Sequence, residues 1–97
     1  MAKLLFEKFY PFGFQVYKYE DDKEFTITGN LKKEYCFKRY ESNYDVEEHI
    51  KEHVNYQGID FDTEFCQFFA YAKTEKRAVQ FCDDIQAFFN RIKELVD

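Results

Sequence analysis

The sequence contains little glycine, proline or serine and no tryptophan. Its 97 residues include three glycines, one proline and a single serine, Ser42. Disordered chains are rich in such residues and poor in aromatics, so this composition excludes a disordered chain. No apolar run approaches the roughly 18 residues that cross a bilayer, and no secretory signal pattern is visible. We expect a soluble, cytoplasmic protein that forms a single domain over residues 1–97.

Signatures of catalysis are also missing. The chain has no nucleophile elbow, phosphate loop or dinucleotide fingerprint. Its three cysteines, Cys36, Cys66 and Cys82, have no C-x-x-C spacing, which argues against a disulfide framework or a zinc knuckle and favours buried thiols. We therefore expect a protein that is not an enzyme and needs no cofactor, with unrecognised carboxylate chemistry as the catalytic alternative.

Charge and aromatic content point toward a protein partner. The chain has 14 basic and 19 acidic residues, which gives a net charge of −5. This charge disfavours binding to the phosphates of nucleic acid and favours binding to a basic protein surface. Aromatics interleave with basic residues between Lys32 and Tyr40, as in stacking platforms for single strands, but the net charge has the wrong sign for direct nucleic-acid binding. The 13 Phe and 8 Tyr exceed the need of one small core, so some should lie at an interface.

Alternating apolar and polar residues predict strands in the first part of the chain. Gly29-Asn30 is interpreted as a hairpin turn between two of them. The predicted strands are Leu4–Phe9, Phe14–Tyr19, Phe25–Thr28 and Tyr35–Tyr40.

A helical period follows. Val46, Ile50 and Val54 recur at a spacing of four, which predicts a helix from Asp45 to near Tyr56. Its start is assigned to a cap at Ser42 or Asn43 and its end to Gly58. The run Phe65–Lys73, apolar on both faces, predicts an internal strand, and Thr74 caps a long helix from Glu75 to about Leu95.

These elements predict an α+β fold. We expect an antiparallel β-meander of about four to five strands in one sheet, with the short middle helix and the long C-terminal helix packed on one face. The other face is then less covered, and water, a second protomer or a binding partner must meet it.

The segment from Asp60 to Glu64 alternates acidic and other residues. In an extended chain its three acids lie on one side, about 6.6 Å apart, which approximates the phosphate spacing of a nucleic-acid strand. Mimicry of nucleic acid is one interpretation, and an oxygen-ligated Mg²⁺ or Ca²⁺ site is a second. The third is a solvated loop whose Ile59, Phe61 and Phe65 point inward.

These features together favour a non-catalytic acidic protein that binds a basic protein partner as a regulator or inhibitor. A concrete version is a phage-type host-takeover or anti-defence protein that occludes a nucleic-acid-binding surface. A homodimer is left open. The predicted partner-binding residues are Asp60, Asp62, Glu64, Glu20, Asp21 and Asp22 for charge and Tyr17, Tyr19 and Tyr40 for anchoring.

The alternative is a small ligand- or metal-binding domain. Its ligand would occupy a pocket between sheet and helices, or an ion would bind His49 and His53, which are four residues apart on the predicted helix. A third metal ligand would come from Asp60, Asp62 or Cys66. Histidines that merely pack at the edge of the apolar stripe are the simpler interpretation of this pair, and no metal site is predicted.

Overall fold

The computed structural model describes residues 2–8, 13–30, 42–64 and 67–96. Its strands form one antiparallel sheet in the order β1-β2-β3-β5-β4, with two helices packed against it, so the predicted α+β fold is confirmed. Within these residues no helix is both long and apolar enough to cross a membrane. The elements are β1 (Ala2–Lys8), β2 (Gly13–Tyr19), β3 (Phe25–Asn30), α1 (Asn43–His53), β4 (Ile59–Phe61), β5 (Phe68–Ala72) and α2 (Glu75–Val96).

One face of the sheet is buried under the helices. Val16, Ile27 and Ala70 lie side by side in β2, β3 and β5, and all three are fully buried. Strand β5 lies between β3 and β4, which confirms the predicted internal strand. Its residues alternate between buried and half-buried because successive side chains point to opposite faces of the sheet. The core therefore forms between this face and the apolar stripes of the helices.

The long helix begins where its sequence predicts. The Arg77 backbone N–H donates to Thr74 Oγ1 at 3.1 Å, so Thr74 satisfies one of the unpaired donors of the first turn. Phe81, Ile85 and Phe89 of α2 are fully buried, as their spacing of four requires. Cys82 is a buried thiol on the same stripe.

An aromatic cluster links the edge strand to the core. The ring of Phe61 in β4 contacts those of Phe68 and Phe81 edge-to-face, at centroid distances of 5.9 and 6.0 Å. Phe14 meets Phe68 in the same way at 5.8 Å. Such edge-to-face pairs add about 0.5–1.5 kcal/mol beyond area burial, so Phe61 holds the short β4 against α2.

Two turn predictions are wrong. Gly29 and Asn30 do not form a hairpin turn, because both continue β3 and pair with Phe14 and Gly13. Gly58 does not end α1, which stops at His53 with Val54 already extended. Gly58 has φ +77° in a turn that the Ile59 N–H closes by donating to the Tyr56 carbonyl at 3.0 Å, and a positive φ at this position favours glycine.

Other boundaries differ modestly. Helix α1 begins at Asn43, and its cap residue Ser42 makes no side-chain capping bond. Strand β4 is absent from the predictions, which treat Ile59 and Phe61 only as inward-pointing residues of a loop. The predicted strand Tyr35–Tyr40 lies outside the described residues, as do Phe65, Cys36 and Cys66.

Candidate partner-binding face

The sheet side that faces away from the helices is called the open face here. Tyr17, Thr26, Tyr71 and Asp60 are cross-strand neighbours on this face, one each from β2, β3, β5 and β4. Since adjacent strands lie about 4.8 Å apart, this row spans about 14 Å. It runs from aromatic at the β2 side to acidic at the β4 edge.

Aromatic rings occupy the β2 side of the open face. The rings of Tyr17 and Tyr19 contact each other with centroids 6.4 Å apart. Tyr19 and Leu4 of the neighbouring β1 are each 44% exposed. Tyrosine is enriched at protein interfaces and among the residues that dominate their affinity, so Tyr19 is the candidate anchor, with Leu4 adding exposed apolar surface nearby.

The centre of the open face is less exposed than the sequence suggests. Thr26 and Thr28 of β3 are 4% and 5% exposed. Thr26 lies between the larger side chains of Tyr17 and Tyr71, and the Thr28 hydroxyl donates to Gln15 Oε1 at 2.9 Å. Accessible groups therefore concentrate at the margins of the face.

The acidic segment continues the pairing of β4 beyond its last strand residue. The Asp62 N–H donates to the Phe69 carbonyl at 2.9 Å, and the backbones of Glu64 and Gln67 exchange hydrogen bonds of 2.8 and 3.2 Å. This pairing keeps the register of Asp60 with Tyr71. Asp60, Asp62 and Glu64 are exposed, whereas the residues between them are half-buried, so the three acids lie along one margin of the open face.

Acids from a second segment meet this margin at Tyr71. Burial raises the pKa of the Tyr71 hydroxyl, and the negative charges of Asp62, Asp22 and Glu24 raise it further, together with a hydrogen bond to Asp62. A negative field opposes ionisation of a phenol, and the carboxylates of Asp62, Asp22 and Glu24 supply that field at Tyr71. We call Asp22, Glu24, Asp60 and Asp62 the acidic rim.

The turn between β2 and β3 places Asp22 and Glu24. The Asp22 N–H donates to the Tyr19 carbonyl at 3.1 Å, and the Glu24 N–H donates to Asp22 Oδ1 at 3.3 Å. The Lys18 ammonium donates to the carbonyls of Tyr19, at 2.8 Å, and Asp22. Local bonds therefore hold both acids just before the start of β3, next to Tyr71.

The other predicted partner-binding residues do not all reach the open face. Glu20 lines a cleft of about 410 Å³ on the helix side of the sheet, together with Lys3, Lys18 and Phe25. This cleft is a candidate pocket for the ligand-binding alternative. Asp21 is exposed at the tip of the turn, and Tyr40 lies outside the described residues.

Sequence reasoning missed Tyr71 and Glu24 as members of the site. Glu24 stands two residues before Thr26, so the period of two already places both on one face. Tyr71 alternates with the buried Ala70 and Ala72, which likewise indicates the opposite face. Their proximity depends on the pairing of β3 with β5, which periodicity does not reveal.

The histidine pair has a different surrounding from the one predicted. Side-chain ligand atoms of His49, Glu52 and His53 all lie within 4.8 Å of one another. Asp60 pairs with Tyr71 on the open face, and Asp62 hydrogen-bonds the same tyrosine, whereas α1 packs on the opposite face. Neither aspartate is therefore the third ligand that the sequence suggested.

The chain was compared with known proteins in three ways. No protein-family model, no curated protein and no solved structure matches it.

Proposed function

We propose that this chain is a non-catalytic cytoplasmic protein that binds a basic protein partner and regulates or inhibits it. The observation that carries the proposal is the meeting of acids from two distant segments, represented by Asp22 and Asp62, around the half-buried ring of Tyr71. Lysines or arginines of a partner would meet several carboxylates at once at this place, which favours the binding of a basic surface.

The aromatic side of the open face supports the same proposal. Tyr19 and Leu4 expose apolar surface about three strands away from Asp60. In protein interfaces, charges accelerate and orient the encounter, whereas buried aromatic side chains supply most of the affinity. The acidic rim would steer a basic partner onto the open face, and Tyr19 and Leu4 would anchor it.

The spacing of the acids favours a partner that normally binds nucleic acid. Asp60, Asp62 and Glu64 alternate along an extended backbone, which separates successive carboxylates by about 6.6 Å. Phosphates of one nucleic-acid strand have a similar spacing. In the finer version of the proposal, the chain occludes a nucleic-acid-binding surface, as phage-type anti-defence or host-takeover proteins do.

Capture from source lysate with matched charge variants tests this function. The test variant carries Asp60→Asn, Asp62→Asn and Glu64→Gln, which takes the net charge from −5 by three units to −2. The control carries three changes that neutralise the same number of charges at exposed residues of the two helices, namely Glu48→Gln, Glu75→Gln and Asp84→Asn. Exposed charges contribute little to stability, so both variants should fold.

We expect one basic protein to bind the wild type and the control but not the test variant. The purified partner should release a bound oligonucleotide when the wild-type chain is added. Partner binding through Asp60, Asp62 and Glu64 would be contradicted if the lysate yields no protein beyond the chain itself. It would also be contradicted if the wild type, the test variant and the control capture the partner equally. Capture of a partner that keeps its oligonucleotide would remove only the nucleic-acid-mimic version.

A further inference from the structure

We infer that His49, Glu52 and His53 form a binding site for a late first-row divalent metal ion, with Zn²⁺, Ni²⁺ and Cu²⁺ as the class. This site lies on α1, on the helix side of the sheet, and is independent of the open face. The two imidazoles and the carboxylate place their ligand atoms within 4.8 Å of one another. His53 Nε2 lies 3.9 Å from Glu52 Oε2.

Helix geometry brings the two imidazoles together. Residues four apart stand one turn above each other on the same helix face, and the centroids of the His49 and His53 rings are 4.9 Å apart. In a tetrahedral zinc site, bond lengths of about 2.0–2.1 Å place ligand atoms about 3.4 Å apart. The three ligand atoms lie within 4.8 Å of one another, and small torsional changes of the exposed Glu52 and His53 side chains would bring them to that spacing.

Phe88 of α2 restricts both rings before any ion binds. His53 stacks on the Phe88 ring with centroids 5.1 Å apart and planes 19° apart. His49 meets the same ring edge-on at 5.0 Å. Phe88 itself is only 4% exposed, so it is a fixed support. Less side-chain freedom remains to be lost on coordination than for histidines on an isolated helix.

The donor set selects the class of ion. Neutral imidazole nitrogens suit zinc, copper and nickel, whereas Ca²⁺ and Mg²⁺ require mostly oxygen ligands. Glu52 contributes one negative charge. His53 and Glu52 are both exposed, so solvent can reach the ion and supply a remaining ligand.

Titration calorimetry of the full chain with ZnCl₂ at neutral pH tests the site. We expect one ion per chain, a higher melting temperature with Zn²⁺, and no uptake of Ca²⁺ or Mg²⁺ at the same concentrations. His53→Gln and Glu52→Gln should each weaken Zn²⁺ binding at least tenfold. Glu48→Gln, a matched loss of one charge at an exposed position of the same helix, should change it less than twofold.

His53→Gln decides the outcome because the exposed His53 can be replaced without disturbing the core. Uptake that survives His53→Gln at wild-type affinity would assign the ion elsewhere, for example to a cysteine, and overturn the proposal. If Glu52→Gln and Glu48→Gln weaken Zn²⁺ binding equally, the effect of Glu52 is that of any nearby negative charge, and the proposed site is overturned as well. Absence of Zn²⁺ uptake by the wild type is the third contradictory result.

Discussion

Replacing Asp60, Asp62 and Glu64 by their amides should slow association with a basic partner by a calculable factor. Two opposite unit charges about 7 Å apart attract by about 0.6 kcal/mol in water before screening. Screening leaves about 0.5 kcal/mol per pair at 0.01 M ionic strength and about 0.25 kcal/mol at 0.15 M. The spacing of the three acids allows each to face a different cation, so the on-rate should fall about tenfold at low salt and about threefold at 0.15 M.

Stopped-flow mixing with the purified partner at both ionic strengths measures these factors. The Glu48→Gln, Glu75→Gln and Asp84→Asn variant has the same net charge and separates local steering from the overall field. We expect the on-rate of this control to stay within about twofold of the wild type, because its three changes lie on the helices and away from Asp60, Asp62 and Glu64. A salt-independent loss, or an equal loss in both variants, would refute the reasoning.

Three further predictions concern stability. Phe81→Ala should lower the free energy of unfolding by about 3–5 kcal/mol, because Phe81 is fully buried, whereas exposed Gln80→Ala should change it by less than about 0.5 kcal/mol in urea melts. The pKa of Tyr71 is higher in the folded protein than in the unfolded chain. The resulting contribution to the free energy of unfolding is fully present below the ordinary pKa of about 10, and it is lost as pH rises through the raised pKa. Tyr71→Phe should therefore reduce the fall in melting temperature at alkaline pH. Gly58→Ala should cost about 1–2 kcal/mol in the same urea melts through its positive φ alone, since no atom of the described residues lies within 4 Å of the added methyl group.

Much of the fold could be predicted because it is encoded over short distances along the chain. The spacing of Phe81, Ile85 and Phe89 defines the buried stripe of α2 without reference to other elements. The alternation of Phe25 and Ile27 with Thr26 and Thr28 likewise defines β3. Strand β4 has only three residues, which is too short for a period of two to stand out. Its existence depends on hydrogen bonds to β5 and on the contacts of Phe61 with Phe68 and Phe81.

The candidate site was only partly predictable for the same reason. The three acids of the Asp60–Glu64 segment stand at every second position, so an extended backbone places their side chains on the same side. The nearness of Asp22 to Asp62 does not, because it requires β5 to lie between β3 and β4. Glu20, two residues from Asp22, lines a cleft on the helix side instead, which its position in the sequence does not reveal. The pairing of Thr26 with Tyr71 brings the start of β3, and with it Asp22 and Glu24, next to Tyr71.

The insertion of β5 between β3 and β4 also governs when the protein can fold. Phe25 pairs with Ala72, 47 residues later, and closing such a loop costs about 3.4 kcal/mol of chain entropy plus a constant. The hairpins of β1, β2 and β3 emerge from the ribosome first, but their apolar residues, such as Phe14 and Ile27, are covered only after β5 and α2 have been synthesised. During that interval the nascent chain exposes a bare apolar sheet face, so we expect holding chaperones to bind it before the last third of the chain is made.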